Sequence, residues 1–221
     1  MVELTLNIAG LLAGKAVPFG DGKTSAIAKR PLSGTVRITA LGVVGDEQAD
    51  LVNHGGPDKA VHLYAQEHYP YWQSVIGDHP LLSAPGAFGE NLATTGGMEQ
   101  DICLGDQFAF GTCVLEVSHG RQPCWKIDQH FGRKGITARI VTNGRCGIYF
   151  RVIRVGVAEA GEAMTLIERP LSQWPIARIF ALLIGGGAKR DMAAVKALAD
   201  MSILAEAWRS RAQMLASAHG A

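Results

Sequence analysis

The segment SHGRQPCWKI, residues 118–127, sets a cysteine between a proline and a tryptophan, with Arg121 three positions before it and Lys126 two after. Two readings of Cys124 compete. It is a structural thiol beside solvated charges, or a thiolate held ready for a soft metal or an electrophile. The thiolate is both the nucleophile and the metal ligand, and neighbouring cations favour it. Pro123, with Ile127 and Phe131 spaced four apart, predicts a helix starting near Cys124, whose N-terminal dipole end acts in the same direction. The other cysteines, Cys103, Cys113 and Cys146, lie within or beside apolar strand-like runs and read as inert packing residues. The four cysteines form no C-x-x-C pair, which argues against a zinc knuckle and a disulfide framework. Reduced thiols in a cytoplasmic protein are expected.

Four further loops carry groups that could meet a ligand. GDGKTS (20–25) is not a Walker A motif, because Val17 stands where that pattern needs glycine. Lys23, Thr24 and Ser25 still offer an ammonium, two hydroxyls and backbone N–H groups to an anion, unless the stretch is simply a solvated turn. Gly55, Gly56 and Pro57 force a tight turn directly after His54. A zinc site there would need a clearer partner than the distant His62 or His68. In FGENL (88–92), Asn91 either bonds its own turn or faces a ligand. TNGRCG (142–147) places Thr142, Asn143 and Arg145 among glycines that permit close backbone approach, and by itself it reads equally as a hairpin turn.

These loops need a scaffold. At 221 residues the chain suits one domain with a large accessory element, or two small ones. A formal charge of +1, with 48% hydrophobic and 19% charged residues, lacks the basic stripe that nucleic-acid affinity relies on, so electrostatic binding to nucleic acid or membrane is not expected. The opening MVELTLNIAGLLAGK has no basic n-region and sets Val2, Leu4, Leu6 and Ile8 at period two, a strand rather than a signal peptide. No apolar run reaches the roughly 18 residues a membrane span requires. The runs 35–41, 101–110, 112–118 and 147–156 read as strands, and AQEHYPYWQSVIG as a helix with Tyr64, Tyr71, Trp72, Val75 and Ile76 on one face and Pro70 kinking or dividing it. After IERPL, alanine, leucine and methionine dominate. Three helices are expected there, the last capped by Ser202, with packing stripes at Ile179, Leu182 and Leu183, at Val195 and Leu198, and at Leu204, Trp208 and Leu215. The fold class is therefore mainly β (α+β): a barrel or folded sheet over 1–168, and a three-helix segment over 169–221.

Taken in order, KTSAIAK, GVVGDEQADLVNHGGPDKAVHLY, HYPYW, FGENL, LGDQF, RQPCWK and NGRCGIYFRV resemble the MOSC domain. The nearer match is its stand-alone bacterial branch, the YiiM-like proteins of 6-N-hydroxylaminopurine resistance. The resemblance covers nearly the whole chain, since that branch carries three helices after the domain. It departs from the pattern at SHG before Arg121, where proline is common, and at GEAM (161–164), where a second GD is expected. It implies a MOSC-type β-barrel and the molybdenum cofactor, Mo-molybdopterin, with Cys124 as the catalytic residue and molybdenum ligand. Lys23, Ser25, His54, Asn91, Arg121, Asn143 and Arg145 would then bind the cofactor. The implied activity is reduction of N-hydroxylated bases and related small molecules from N–OH to N–H, independent of pyridoxal phosphate, and so detoxification of base analogues. No flavin, haem or iron–sulfur signature is visible, so a separate electron-donor protein of the flavin-reductase type is expected. The alternative is a module that carries the cofactor, or sulfur as a Cys124 persulfide, without turnover of its own. The helical tail could cover the pocket, bind the partner or pair subunits into a homodimer.

Overall fold

The alternation at the N-terminus becomes the two faces of a strand. In the computed structural model, which describes residues 4–20, 22–50 and 55–218, β1 (Thr5–Ala13) buries Leu6 and Ile8 and leaves Thr5 and Asn7 outside. Six more strands follow: β2 (Val61–Ala65), β3 (Leu92–Thr95), β4 (Gln107–Phe110), β5 (Cys113–Gly120), β6 (Ile148–Arg154) and β7 (Ala163–Glu168). In space they run β7, β4, β5, β6, β2, β3, β1, and β1 pairs back onto β7, with Leu6 opposite Met164. This closes a seven-stranded barrel and leaves none of the seven with a bare edge. Phe108, Phe110, Leu115, Phe150 and Met164 are among the fully buried side chains that fill the core.

Within the ring, β2 and β3 pair in parallel, Leu63 opposite Leu92, and every other pair is antiparallel. Parallel neighbours need a crossover connection. Here it carries α1 (Tyr69–Ile76). Pro70 does not kink that helix: it sits in the first turn, where an N–H has no intrahelical acceptor to lose. Tyr64, expected on the helix face, belongs to β2. The run 35–41 supplies only Val36–Thr39, in a small sheet between Gly42–Val43 and Gly156–Ala158. Of 101–110 only Gln107–Phe110 is strand.

The expected helix near Cys124 is α2 (Trp125–His130), and α3 (Ile136–Asn143) follows it, so TNGRCG is the end of a helix rather than a hairpin turn. Gly144, at φ 74°, caps it in the left-handed conformation that suits glycine. The tail forms α4 (Ile176–Leu183), α5 (Met192–Ala199) and α6 (Glu206–Ser217). Ala205, not Ser202, occupies the N-cap of α6, and Asp191 caps α5 through Ala194 N at 3.0 Å. The tail is joined to the barrel by the backbone bonds Leu104 N to Trp174 O and Ile176 N to Ile102 O, both 2.9 Å. Gly120 lies under it so tightly that an added Cβ would stand 3.0 Å from Ile176 and 3.1 Å from Trp208.

Candidate functional site

The end of β5 delivers the chemistry. Its register against β6 shifts between Val117 and His119, and such a bulge re-aims the side chains around it. Arg121 then bonds through its N–H to Gly147 O at 2.9 Å, and the chain passes Pro123 to Cys124, the N-cap of α2. The Cys124 carbonyl accepts from Ile127 N and from Thr137 Oγ1, each at 3.1 Å, so α2 and α3 both hold that residue. Asp128 fastens the two helices together, accepting from Gly135 N at 2.8 Å and Thr137 N at 2.7 Å. Burial pushes its pKa up, but those backbone bonds outweigh it and hold the carboxylate below its ordinary value.

Cys124 is half-buried and stands where two cavities meet. The inner one, about 80 Å³, is lined by Ser25, Lys29, Asp46, His62, Asn91 and Arg121, among others. The outer one, about 710 Å³, has Lys23, His119, Gln122, Trp125 and Trp208 in its wall. Lys59, Cys124, Lys126 and Tyr149 belong to both. The larger volume lies within the ~300–1,000 Å³ usual for small-molecule sites. Cys124 stands at the N-cap of α2, which is only six residues long and contributes little dipole.

The walls are rich in positive charge. Lys29 and Asp46 form a buried ion pair with side chains 8% exposed, and burial lowers the lysine's pKa while Asp46 opposes the shift. The Lys59 pKa is lowered by burial too, with Asp58 and Asp50 acting the other way. Lys126 Nζ donates to Thr24 O at 3.1 Å, which docks the 17–25 hairpin onto α2, and Lys23 Nζ lies 4.4 Å from the centroid of the Trp125 ring. Arg121 is 7% exposed, and its Nη1 is buried with no partner. A buried guanidinium N–H left unpaired is costly, so an acceptor arriving in the inner cavity would be stabilised there.

Two histidines add acceptors to this cationic wall. Ser118 Oγ has two carbonyl neighbours, Asp58 O at 2.6 Å and Tyr149 O at 2.9 Å, and lies 3.0 Å from His119 Nδ1. Carbonyls only accept, and with the hydroxyl proton on the nearer of them, Asp58 O, His119 Nδ1 is the donor to Oγ. Nε2 is left as the ring's acceptor. Burial, with Lys59 and Arg151 nearby, holds the His119 pKa down to about 3, so the ring stays neutral. His62 follows the same logic: Nδ1 faces Gly89 O at 3.3 Å, and Nε2 is buried with no partner. Burial, then the Arg121 charge, keeps it uncharged. The Tyr149 ring lies between them, 5.0 Å from His62 and 5.2 Å from His119.

Of the residues expected from sequence, the structure gathers Ser25, Asn91, Arg121 and Cys124 at the inner cavity and Lys23 at the outer one. Asn91 neither bonds its own turn nor keeps a donor in reserve: Oδ1 accepts from His62 N at 3.1 Å, and Nδ2 donates to Leu12 O and to Asp46 at 3.1 and 2.8 Å. It positions the wall. Asn143 and Arg145 are not brought here, because Gly144 turns their loop away into a different cavity beside α4. His54 lies outside the described residues. Sequence reasoning missed Lys29, Lys59, His62, His119, Tyr149 and Trp208 as wall residues. The one available signal was His119 itself, in the SHG that departs from the family pattern. Cys103, Cys113 and Cys146 are free and buried, and burial raises the pKa of each, as befits packing residues.

Residues 50–165 match the MOSC domain family. The protein YiiM of Escherichia coli (strain K12) is 39% identical over 156 residues, 71% of this chain and 70% of that protein. A protein named Reductase from Gibberella moniliformis is 40% identical over 162 residues, covering 73% of this chain but 29% of that much longer protein. Among solved structures, YiiM from Geobacillus stearothermophilus superposes with a TM-score of 0.80 at 32% identity, over 96% of this chain and 99% of that one.

Proposed function

The chain belongs to the MOSC domain family, and from that premise we propose that it is a molybdenum-cofactor-dependent reductase of N-hydroxylated bases and related compounds. The observation that carries the reading is Arg121, its Nη1 buried and without a partner, in the wall of the same cavity as the half-buried Cys124. One soft donor beside a guanidinium with an unused N–H suits an anionic pterin dithiolene that brings most of the metal's ligands with it. Among the described residues no three His, Cys, Asp or Glu gather to hold a metal alone. Cys124 would supply the protein's ligand, Arg121 and Lys126 would meet phosphate or pterin acceptors, and Lys23 and Ser25 would close the site from the hairpin side.

When bound, the cofactor supplies the two-electron oxygen-atom chemistry. The balance is R–NHOH with two electrons and two protons giving R–NH₂ and water. The remaining roles fall to the chain. Neutral His119 offers Nε2 as a hydrogen-bond acceptor that orients the substrate's hydroxyl or amine. Of the two protons consumed, Lys59, whose burial makes its proton easier to release, is placed to deliver one, and the other comes from solvent through the outer cavity. Trp125, 44% exposed beside Cys124, offers a flat surface to a planar base. Electrons come from a separate donor protein. The name and length of the fungal relative, in which the matching region is a minority of the chain, fit a reductase whose other functions lie in other segments.

The test is turnover. Protein purified from a host that makes the cofactor is expected to reduce 6-N-hydroxylaminopurine with a chemical electron donor, and the His119→Gln variant to retain cofactor but lose about tenfold in kcat, as for a lost hydrogen bond that orients the substrate. Full molybdenum and pterin content without turnover would instead assign the chain to cofactor carriage.

A further inference from the structure

The TNGRCG loop, which the Cys124 site leaves unused, lines a cavity of about 550 Å³ between the barrel and the helical tail. It shares no residue with the two cavities at Cys124. The two regions stand back to back across Gly147. Its N–H donates to Glu99 Oε1 at 2.7 Å on one side, and on the other an added Cβ would lie 2.4 Å from His62 Nε2.

Three guanidinium groups line this second cavity: Arg145, Arg178 and Arg190. Arg145 packs 4.0 Å from the centroid of the Tyr71 ring, which fixes its plane. Arg178 is shared with Asp191 at 3.1 Å. Arg145 and Arg190 have no carboxylate partner among the described residues. The one carboxylate in the wall, Glu99, is already engaged by His68 Nε2 at 2.7 Å and by Gly147 N. Asn143 adds a further donor: Oδ1 accepts from Arg145 N at 2.9 Å, leaving Nδ2 buried without a partner. Forked cationic donors and a buried unsatisfied N–H, in a hollow of small-molecule size, call for acceptor oxygens carrying negative charge.

We propose that this cavity is a second ligand site, for a small organic anion bearing a phosphate or paired carboxylates, held by Arg145, Arg190 and Asn143. The test is calorimetric titration of the full chain with inorganic phosphate and, separately, with succinate. Binding of at least one probe is expected, weakened about tenfold by Arg145→Ala and by Arg190→Ala, as for loss of a charge-assisted bond. Arg190 is exposed, so its variant decides the matter even if Arg145→Ala misfolds. Binding lost in Lys126→Ala but kept in Arg190→Ala would put the anion at the Cys124 cavity and overturn the proposal. So would the absence of heat from both probes at about 10 mM, beyond the millimolar range of a weak site.

Discussion

Arg121 is worth more to a bound ligand than to the empty fold. Its buried Nη1 lacks a partner, and an unmatched buried donor of this kind costs about 1–3 kcal/mol. Arg121→Met is therefore expected to leave the melting temperature of the cofactor-free protein unchanged or raised, while cofactor retention falls sharply. A cofactor-free protein strongly destabilised by this change would show that the guanidinium serves the fold. His119 gives a prediction in pH. Burial holds it down to about 3 and keeps His62 well below the ordinary histidine value, whereas the unfolded chain protonates both near 6.5. Below about 6.5 the unfolded state thus binds more protons than the folded one, and stability falls as pH is lowered toward 3, by about 1.4 kcal/mol per pH unit from His119, with His62 acting in the same direction. Above that window the contribution is fully present. Urea melts at pH 7 and pH 4.5 should show this loss, and His119→Gln should lower the slope by the His119 share. An unaltered slope in that variant would contradict the assignment.

At the scale of elements, the site depends on how α2 and α3 are clasped. Asp128→Ala deletes the bonds from Gly135 N and Thr137 N that set Thr137 Oγ1 within reach of the Cys124 carbonyl. A loss of about 1–2 kcal/mol is expected, read as a lower urea midpoint, together with weaker cofactor retention. Retention equal to the parent's would mean that the clasp is not what sets the thiol. Much of this architecture was legible beforehand: the strand alternation of β1, the helix opening at Cys124 and the three tail helices all follow from period and composition. The helix α3 was not. Ile136, Thr137, Ile140, Val141 and Thr142 are β-branched and argue locally for a strand. The segment is helical because Ile136 and Ile140, one turn apart, both bury, and because Gly135 and Gly144 supply left-handed ends. Pro70 misled for the converse reason, since a proline reads as a breaker unless the first turn of its helix is known.

Across the whole molecule, the tail is part of the site rather than an appendage. Trp208 lines the outer cavity and lies 5.5 Å from His119, ring to ring, while Ile176, Phe180 and Trp208 belong to the same buried core as the barrel. A chain ending at residue 168 would bare Gly120 and Ile102 beneath it. It is expected to lose the single cooperative transition of the full chain, as followed by near-ultraviolet circular dichroism during a thermal melt. A shortened chain that melts as sharply would make the tail a separable unit. At this scale sequence order alone could not sort the loops. NGRCG and RQPCWK look alike in composition, yet Gly147 sets them on opposite sides of one wall, and only barrel closure brings Ser25, Asn91 and Arg121 to a common hollow. The most direct measurement of the central claim is the molybdenum-to-protein ratio of the purified chain against Cys124→Ala, both made in a cofactor-producing host and both shown folded by their melts. A ratio near one that falls to background in the variant is the predicted result; equal metal in the two proteins would contradict the assignment of that sulfur as the ligand.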